Sequence, residues 1–175
     1  MAAMFGLLTL ASCGKDEDPA PAGSVDYDGQ SYALNNGIYF DNGADDTYYN
    51  NYFLASDGTL DLAAIFAESV QGKAGMSFDL YSVGTDEFKS GTFTIKNNTI
   101  ILGRQEAENY GYVEFSYDSN NDGKIDETDD SIEAKSGTVT VSGSNYDMEF
   151  NLVLANDKTL KGVYKKGYSL IDFGF

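Results

Sequence analysis

The chain has 175 residues, with 28 acidic and 11 basic side chains, a net charge of −17, no histidine, no tryptophan and one cysteine. This length is enough for one domain with a hydrophobic core. The few, scattered cations argue against a nucleic-acid-binding surface, which needs a basic footprint. The absence of histidine excludes Ser-His-Asp and Cys-His catalysis and any histidine-ligated zinc or iron site.

The first twelve residues are small or apolar and too few to span a bilayer as a helix, so they predict the end of a secretory signal peptide. Leu10-Ala11-Ser12-Cys13 resembles a bacterial lipobox, in which small residues flank the cut and the cysteine thiol takes the diacylglycerol. Cys13 is the only cysteine, so no internal disulfide competes for its thiol. The resemblance implies lipidation of Cys13 and a stable membrane anchor.

A charged cluster, Gly14-Lys15-Asp16-Glu17-Asp18, directly follows the cysteine and resembles the surface-export signal of Bacteroidota lipoproteins. Pro19-Ala20-Pro21-Ala22-Gly23 predicts a semi-extended tether. The resemblance implies a protein held by lipid in the outer membrane, at the cell surface. The chain then divides into a signal remnant (residues 1–12), a lipidated tether (13–23) and one domain (24–175).

Within that domain, apolar and polar residues alternate with a period of two, in short runs separated by turns. Asp28-Gly29 is the dipeptide of a type I′ hairpin turn. Residues 41–46 predict a polar loop, and Leu60–Val70 predict either a short helix capped by Asp61 or an irregular crossover. The predicted strands cover residues 25–27, 30–34, 38–40, 48–55, 76–81, 91–95, 99–102, 110–117, 137–142, 146–154, 159–165 and 168–173.

These strands recur about every ten residues without intervening helices. This spacing is typical of all-β domains. We therefore predict an antiparallel β-sandwich, with a lipocalin-like closed barrel as the alternative.

The strand at residues 110–117 has two different faces. Val113, Phe115 and Tyr117 form the better core face, which leaves Tyr110, Tyr112 and Glu114 as an outward strip. Aromatic rings beside a carboxylate could hold a sugar. Cross-strand tyrosine pairs that stiffen an exposed sheet are the alternative.

Residues 118–129 carry the pattern of a calcium loop. Its ligand positions 1, 3, 5, 7, 9 and 12 are Asp118, Asn120, Asp122, the carbonyl of Lys124, Asp126 and Asp129. Calcium needs several hard oxygens at one point, and Gly123 at position 6 permits the sharp turn that brings them together. The alternative is an acidic surface turn that binds no ion, in which the carboxylates would repel one another.

This pattern resembles the EF-hand-like loop of dockerin modules, which also have Asp at position 12. The resemblance implies Ca²⁺ as cofactor, bound less tightly than with Glu at that position because the Asp side chain is shorter. It covers only these twelve residues, because the chain has one copy and residues 130–137 are too short for the helix that follows each dockerin loop. A cohesin partner is therefore not implied, and we expect the ion to be structural.

The overall layout resembles the small all-β lipoproteins of Bacteroidota. The lipobox, the acidic cluster, Ser90-Gly-Thr-Phe-Thr94 and Ser136-Gly-Thr-Val-Thr-Val141 carry this resemblance, which implies location and architecture. We expect a non-catalytic binding or adhesion module for a glycan or an envelope protein. The alternative is a calcium-assisted glycan hydrolase or lyase, which paired carboxylates can support without histidine, although no catalytic pair stands out. A purely structural surface protein is the third option.

Overall fold

A computed structural model describes residues 23–96 and 108–171. The predicted strand at 99–102, the leader and tether up to residue 22, and residues 172–175 lie outside the described residues. The described part contains one short helix, α1 (Leu62–Phe66). Its strands are β1 (Gly23–Tyr27), β2 (Gln30–Ala33), β3 (Asn36–Asp45), β4 (Tyr48–Ser56), β5 (Val70–Gln71), β6 (Ala74–Val83), β7 (Gly91–Lys96), β8 (Tyr110–Tyr117), β9 (Lys124–Ile125), β10 (Asp130–Ser142), β11 (Asp147–Leu154), β12 (Thr159–Tyr164) and β13 (Ser169–Leu170).

The alternation in the sequence decides which side of each strand is buried. In β6, Met76, Phe78 and Leu80 are at most 2% exposed, whereas the residues between them are partly exposed. Strand β8 follows the same rule, with Val113 and Phe115 in the core. The all-β class is therefore confirmed, and so are the predicted core faces of these two strands.

A hairpin turn and a helix cap both occur at positions that the sequence indicates. Asp28 and Gly29 have φ values of 51° and 79° between β1 and β2, and a type I′ turn requires positive φ at both central residues. The ambiguous segment contains α1, and the carboxylate of Asp61 accepts a hydrogen bond of 2.8 Å from the amide of Ala64. Of the two alternatives for residues 60–70, the short helix is therefore the correct one, and Asp61 caps it.

The prediction of a polar loop at residues 41–46 is wrong. Strand β3 continues to Asp45 and pairs with the aromatic strand β4, with one register shift between Asp41 and Gly43. Pairing along the whole length of β4 thus outweighs the low strand propensity of Asp, Asn and Gly, since strand propensity depends strongly on the neighbouring strand.

Eleven strands form one sheet in the order β13-β3-β4-β6-β8-β7-β10-β11-β12-β1-β2, and β5 pairs with β9 in a separate ribbon. Most pairs are antiparallel, but β7 runs parallel to β8, and β13 runs parallel to β3. The sheet is therefore mixed, whereas the sequence analysis expected antiparallel pairing. Strand β10 pairs with β11 along one edge, and along its other edge it pairs first with β8 and then with β7.

The sheet curls so that one face encloses the core. Phe78 of β6 and Phe150 of β11 lie four positions apart in the strand order, yet their ring centroids are 5.4 Å apart. A flat sheet would separate these strands by roughly 19 Å, at about 4.8 Å per strand. Tyr27 of β1 and Phe115 of β8 also meet, at 5.0 Å. Distant strands thus face each other across the core, as they do in both sandwiches and barrels. The outer face of the sheet, opposite the core, carries the hollow described below.

Candidate functional site

The predicted calcium loop joins β8 to β10, and the fold holds it at both ends. Beyond the loop, Tyr117 of β8 pairs with Asp130 of β10. Within it, β9 pairs with β5, where Val70 lies opposite Ile125. The amide of Asp118 donates to the carbonyl of Lys73 at 3.0 Å, and the loop is thereby fixed against the segment that precedes β6.

The backbone of the loop turns where the sequence predicts. Gly123 has a φ of 88°, in the left-handed region that glycine enters at little cost. The preceding Asn121 also has a positive φ, 61°, and asparagine tolerates this conformation better than most residues. The amides of Asp122 and Gly123 both donate to the carboxylate of Asp118, each at 3.0 Å. The turn thus directs the loop back over its first acidic residue.

Three predicted ligands converge in this loop. Asp118, Asp122 and Asp129 each offer a carboxylate oxygen, and these oxygens all lie within 4.8 Å of one another. Calcium–oxygen distances of roughly 2.3–2.6 Å place ligands on opposite sides of the ion about 5 Å apart. The spacing and the hard oxygen donors therefore fit a calcium ion.

The other predicted ligands take part in hydrogen bonds inside the loop. Asn120 accepts from the amide of Asp122 at 2.9 Å. Asp126 accepts from the Lys124 ammonium and from the amide and hydroxyl of Thr128. The pKa of Asp126 is lowered to about 2, chiefly by the Lys124 ammonium and to a smaller extent by the hydrogen bonds from Thr128. Only the carbonyl of Lys124 was expected to act in the loop, and the structure adds its side chain as a cation there.

The predicted strip on β8 forms one wall of a hollow of about 300 Å³ on the outer face of the sheet. We call it the tyrosine hollow and define it by Asp79, Tyr81, Lys96, Tyr110, Tyr112, Glu114 and Glu133. Sheet register brings these residues together, because Asp79 pairs with Tyr112 across β6 and β8, and Glu114 lies opposite Glu133 across β8 and β10. The structure thus adds Asp79, Tyr81, Lys96 and Glu133 to the predicted residues.

The tyrosines of the hollow pack on one another. The rings of Tyr81 and Tyr110 are parallel within 1°, with centroids 4.8 Å apart, and Tyr112 meets both rings edge-on. Tyr48 packs edge-on against Tyr110 from the side of β4. Tyr110 is consequently only 6% exposed, although it lies on the outer face as predicted. The same tyrosines therefore form cross-strand pairs and line the hollow.

The carboxylate of Asp79 lies partly buried in the hollow. Burial raises its pKa, although the side chains of Asn50 and Tyr81 donate hydrogen bonds to it at 2.7 and 3.2 Å and oppose the increase. An outward position for Asp79 follows from the alternation of β6. Its place beside Tyr112 depends on strand register, which the sequence does not reveal.

An apolar cleft of about 340 Å³ adjoins the hollow and shares Ser77 and Glu114 with it. Its walls come from the sheet and from α1, β5 and β9, and its apolar side chains include Leu54, Leu60, Ile65, Val70 and Ile125. Asp126 of the loop also lines the cleft. The predicted calcium loop and the tyrosine hollow thus lie at two ends of one continuous surface.

Cys13, the predicted lipidation residue, lies outside the described residues. In ranges 23–96 and 108–171, no helix has the length and apolar character needed to cross a membrane. Comparison with protein-family models, with curated proteins and with solved structures gives no match.

Proposed function

We propose that this protein is a lipid-anchored binding module of the bacterial cell surface that presents the tyrosine hollow to a glycan or to a protein of the envelope. The proposal rests on one observation: the predicted strip on β8 lies beside side chains from β6, β7 and β10. Aromatic rings, carboxylates and an ammonium line one concave surface, and concave sites with a few directed polar groups are where ligands usually bind.

In this proposal, the calcium ion has a structural role. An ion that binds the folded loop but not the unfolded chain stabilises the folded state by mass action. The loop is hydrogen-bonded to the segment before β6 and paired with β5. Fixing the loop therefore also fixes one wall of the adjoining cleft.

The proposed anchor is the lipid on Cys13, followed by the acidic and proline-containing tether. It rests on the resemblance of residues 10–18 to a lipobox and a surface-export signal. Growth with radiolabelled palmitate tests it. We expect label in the natural chain and none in Cys13→Ala, and label that persists in the variant would contradict the anchor.

Ligand binding to the full chain tests the role of the hollow. We expect panels of oligosaccharides and of immobilised peptides to include at least one ligand whose affinity falls about tenfold or more in Tyr112→Ala and in Glu114→Ala. Thr138→Ala is the matched control, because Thr138 is exposed on the outer face of β10, away from the hollow. Binding that is equally strong in all three variants, or absent for the natural chain, would contradict the proposal.

A calcium-assisted glycan hydrolase or lyase is the second candidate, and the pairing of Glu114 with Glu133 favours it. Two carboxylates that flank a glycosidic bond can supply the acid and the base or nucleophile of hydrolysis. Release of reducing ends from a polysaccharide, abolished in both Glu114→Gln and Glu133→Gln, would identify the enzyme. Ligand binding without product would support the binding module.

A further inference from the structure

We propose that the tyrosine hollow binds the ammonium group of a lysine side chain carried by a basic segment of a partner protein. This inference rests on the proposed binding function and names the ligand class of that site. It depends on the charge balance of the hollow, on the arrangement of its rings and on the position of the chain's own Lys96.

Among the described residues that line it, the hollow has an excess of negative charge. Its described lining contains the carboxylates of Asp79, Glu114 and Glu133 but one ammonium, that of Lys96. Glu114 and Glu133 are directly opposite each other on one face of an antiparallel pair, where side chains are about 5 Å apart and like charges are destabilising. A cation between them would turn this repulsion into attraction.

Asp79 adds to this excess in a partly desolvated position. Burial raises the pKa of Asp79, and the negative charge of Asp45 raises it further. Its two hydrogen-bond donors, Asn50 and Tyr81, are neutral, so they satisfy its oxygens without compensating its charge. A bound ammonium would supply an opposite charge.

One ring of the hollow already contacts a cation. The ammonium of Lys96 lies over the ring of Tyr110, 5.6 Å from its centroid, within the distance at which the negative face of an aromatic ring attracts a positive charge. The chain itself thus places one lysine ammonium against the tyrosines, and the proposed ligand would place a second beside the carboxylates. Attraction of this kind is stronger where water is partly excluded.

A neutral sugar suits the same surface less well. Sugars stack on open aromatic faces, but Tyr81 and Tyr110 turn their faces to each other, and Tyr110 is almost fully buried. The volume of about 300 Å³ is at the lower end of the roughly 300–1,000 Å³ of small-molecule sites, which suits one side chain. The net charge of −17 would also speed the approach of a basic partner.

The test measures binding of an eight-residue lysine peptide to the full chain by calorimetry and by amide NMR shifts at constant calcium. A peptide with every lysine acetylated is the ligand control, since acetylation removes the charge and keeps the chain length. We expect the charged peptide to shift the amides of β6, β8 and β10 around the hollow. The acetylated peptide should bind at least tenfold more weakly.

Matched variants separate the hollow from the general acidity of the chain. Glu114→Gln/Glu133→Gln and Glu87→Gln/Glu149→Gln have the same net charge, and Glu87 and Glu149 are exposed away from the hollow. The first pair should weaken peptide binding about tenfold or more and the second less than twofold. Both pairs keep side-chain size and are checked for an unchanged melting temperature.

Equal weakening by the two pairs would overturn the inference, because binding would then follow net charge alone. Equal binding of the acetylated peptide would also overturn it. If a neutral oligosaccharide shifts the hollow amides and the lysine peptide does not, the lysine inference fails while the proposed binding module stands. If neither ligand nor any member of the two panels shifts them, both fail.

Discussion

The charge of the partly buried Asp79 lowers the stability of the fold, but the same charge would attract the proposed lysine ligand. Burial raises its pKa because the carboxylate loses hydration that neutral hydrogen-bond donors only partly replace. The folded state therefore holds a proton on Asp79 at pH values where the unfolded chain has already lost it. Stability contributed by this group is highest at low pH and falls as the pH rises from the unfolded pKa through the folded one.

We accordingly predict that Asp79→Asn stabilises the protein at neutral pH. The amide keeps the size of the side chain and an oxygen that can accept from Asn50, while the charge is removed. Thermal unfolding should show a melting temperature a few degrees above that of the natural chain at pH 7. The difference should disappear at pH 3, where the natural carboxyl is protonated in both states.

Asp26→Asn is the control for this prediction, because Asp26 is exposed on the outer face of β1. It should leave the melting temperature nearly unchanged at both pH values. A lower melting temperature for Asp79→Asn at pH 7 would show that the charge of Asp79 stabilises the fold, contrary to this account.

At the scale of elements, close approach between strands depends on glycines at particular positions. Gly162 of β12 lies opposite Val25 of β1 and Phe150 of β11. A Cβ atom on Gly162 would lie 2.4 Å from the backbone oxygen of Ser24 and 2.4 Å from the ring of Phe150. The contact with backbone cannot be relieved by a side-chain rotation, so β12 and its neighbours would have to move.

We predict that Gly162→Ala lowers the free energy of unfolding by about 1–3 kcal/mol, the usual cost of overpacking. Gly75→Ala on β6 is the matched control, since the nearest atoms to its added Cβ are 3.7 and 3.8 Å away. It should change the free energy by less than about 0.5 kcal/mol. Denaturant unfolding measures both, and equal effects would contradict the packing described for β12.

Strand β9, which lies within the predicted calcium loop, does more than connect β8 to β10. Its ribbon with β5 joins the loop to the segment that contains α1, and Ile125 from the loop contributes to the apolar cleft. Phe66 of α1 is 74% exposed, so the core provides little packing for this segment. The loop is thus joined directly to the wall that α1 and β5 form.

For the molecule as a whole, local patterns in the sequence predicted local structure. The alternation around Phe78 and Val113 identified their buried faces, Asp28-Gly29 predicted its turn, and Asp61 predicted a helix cap. Three carboxylates of residues 118–129 were expected together and are together. These features depend on neighbours within about a dozen residues, whose geometry is fixed by spacing along the chain.

Features that depend on strand pairing could not be predicted. Glu133 reaches Glu114 only because β10 pairs with β8 before it turns to β7. Asp79 reaches Tyr112 through the register of β6 with β8, and Tyr110 is buried because Tyr48 and Tyr81 arrive from other strands. A shift of one residue in either register would turn these side chains to the opposite face, and nothing local in the sequence fixes that choice.

The most direct test of the account is thermal unfolding of the full chain with millimolar calcium and with chelator. Calcium at about 100 times its dissociation constant would add roughly 2.7 kcal/mol, and each kcal/mol raises the melting temperature of a chain of this size by about 2–4 °C. We expect a rise of several degrees that is abolished in Asp122→Ala. The rise should be preserved in Asp86→Ala, which removes an exposed carboxylate elsewhere. Equal melting temperatures with calcium and with chelator, or a calcium effect that survives in Asp122→Ala, would contradict the site at Asp118, Asp122 and Asp129.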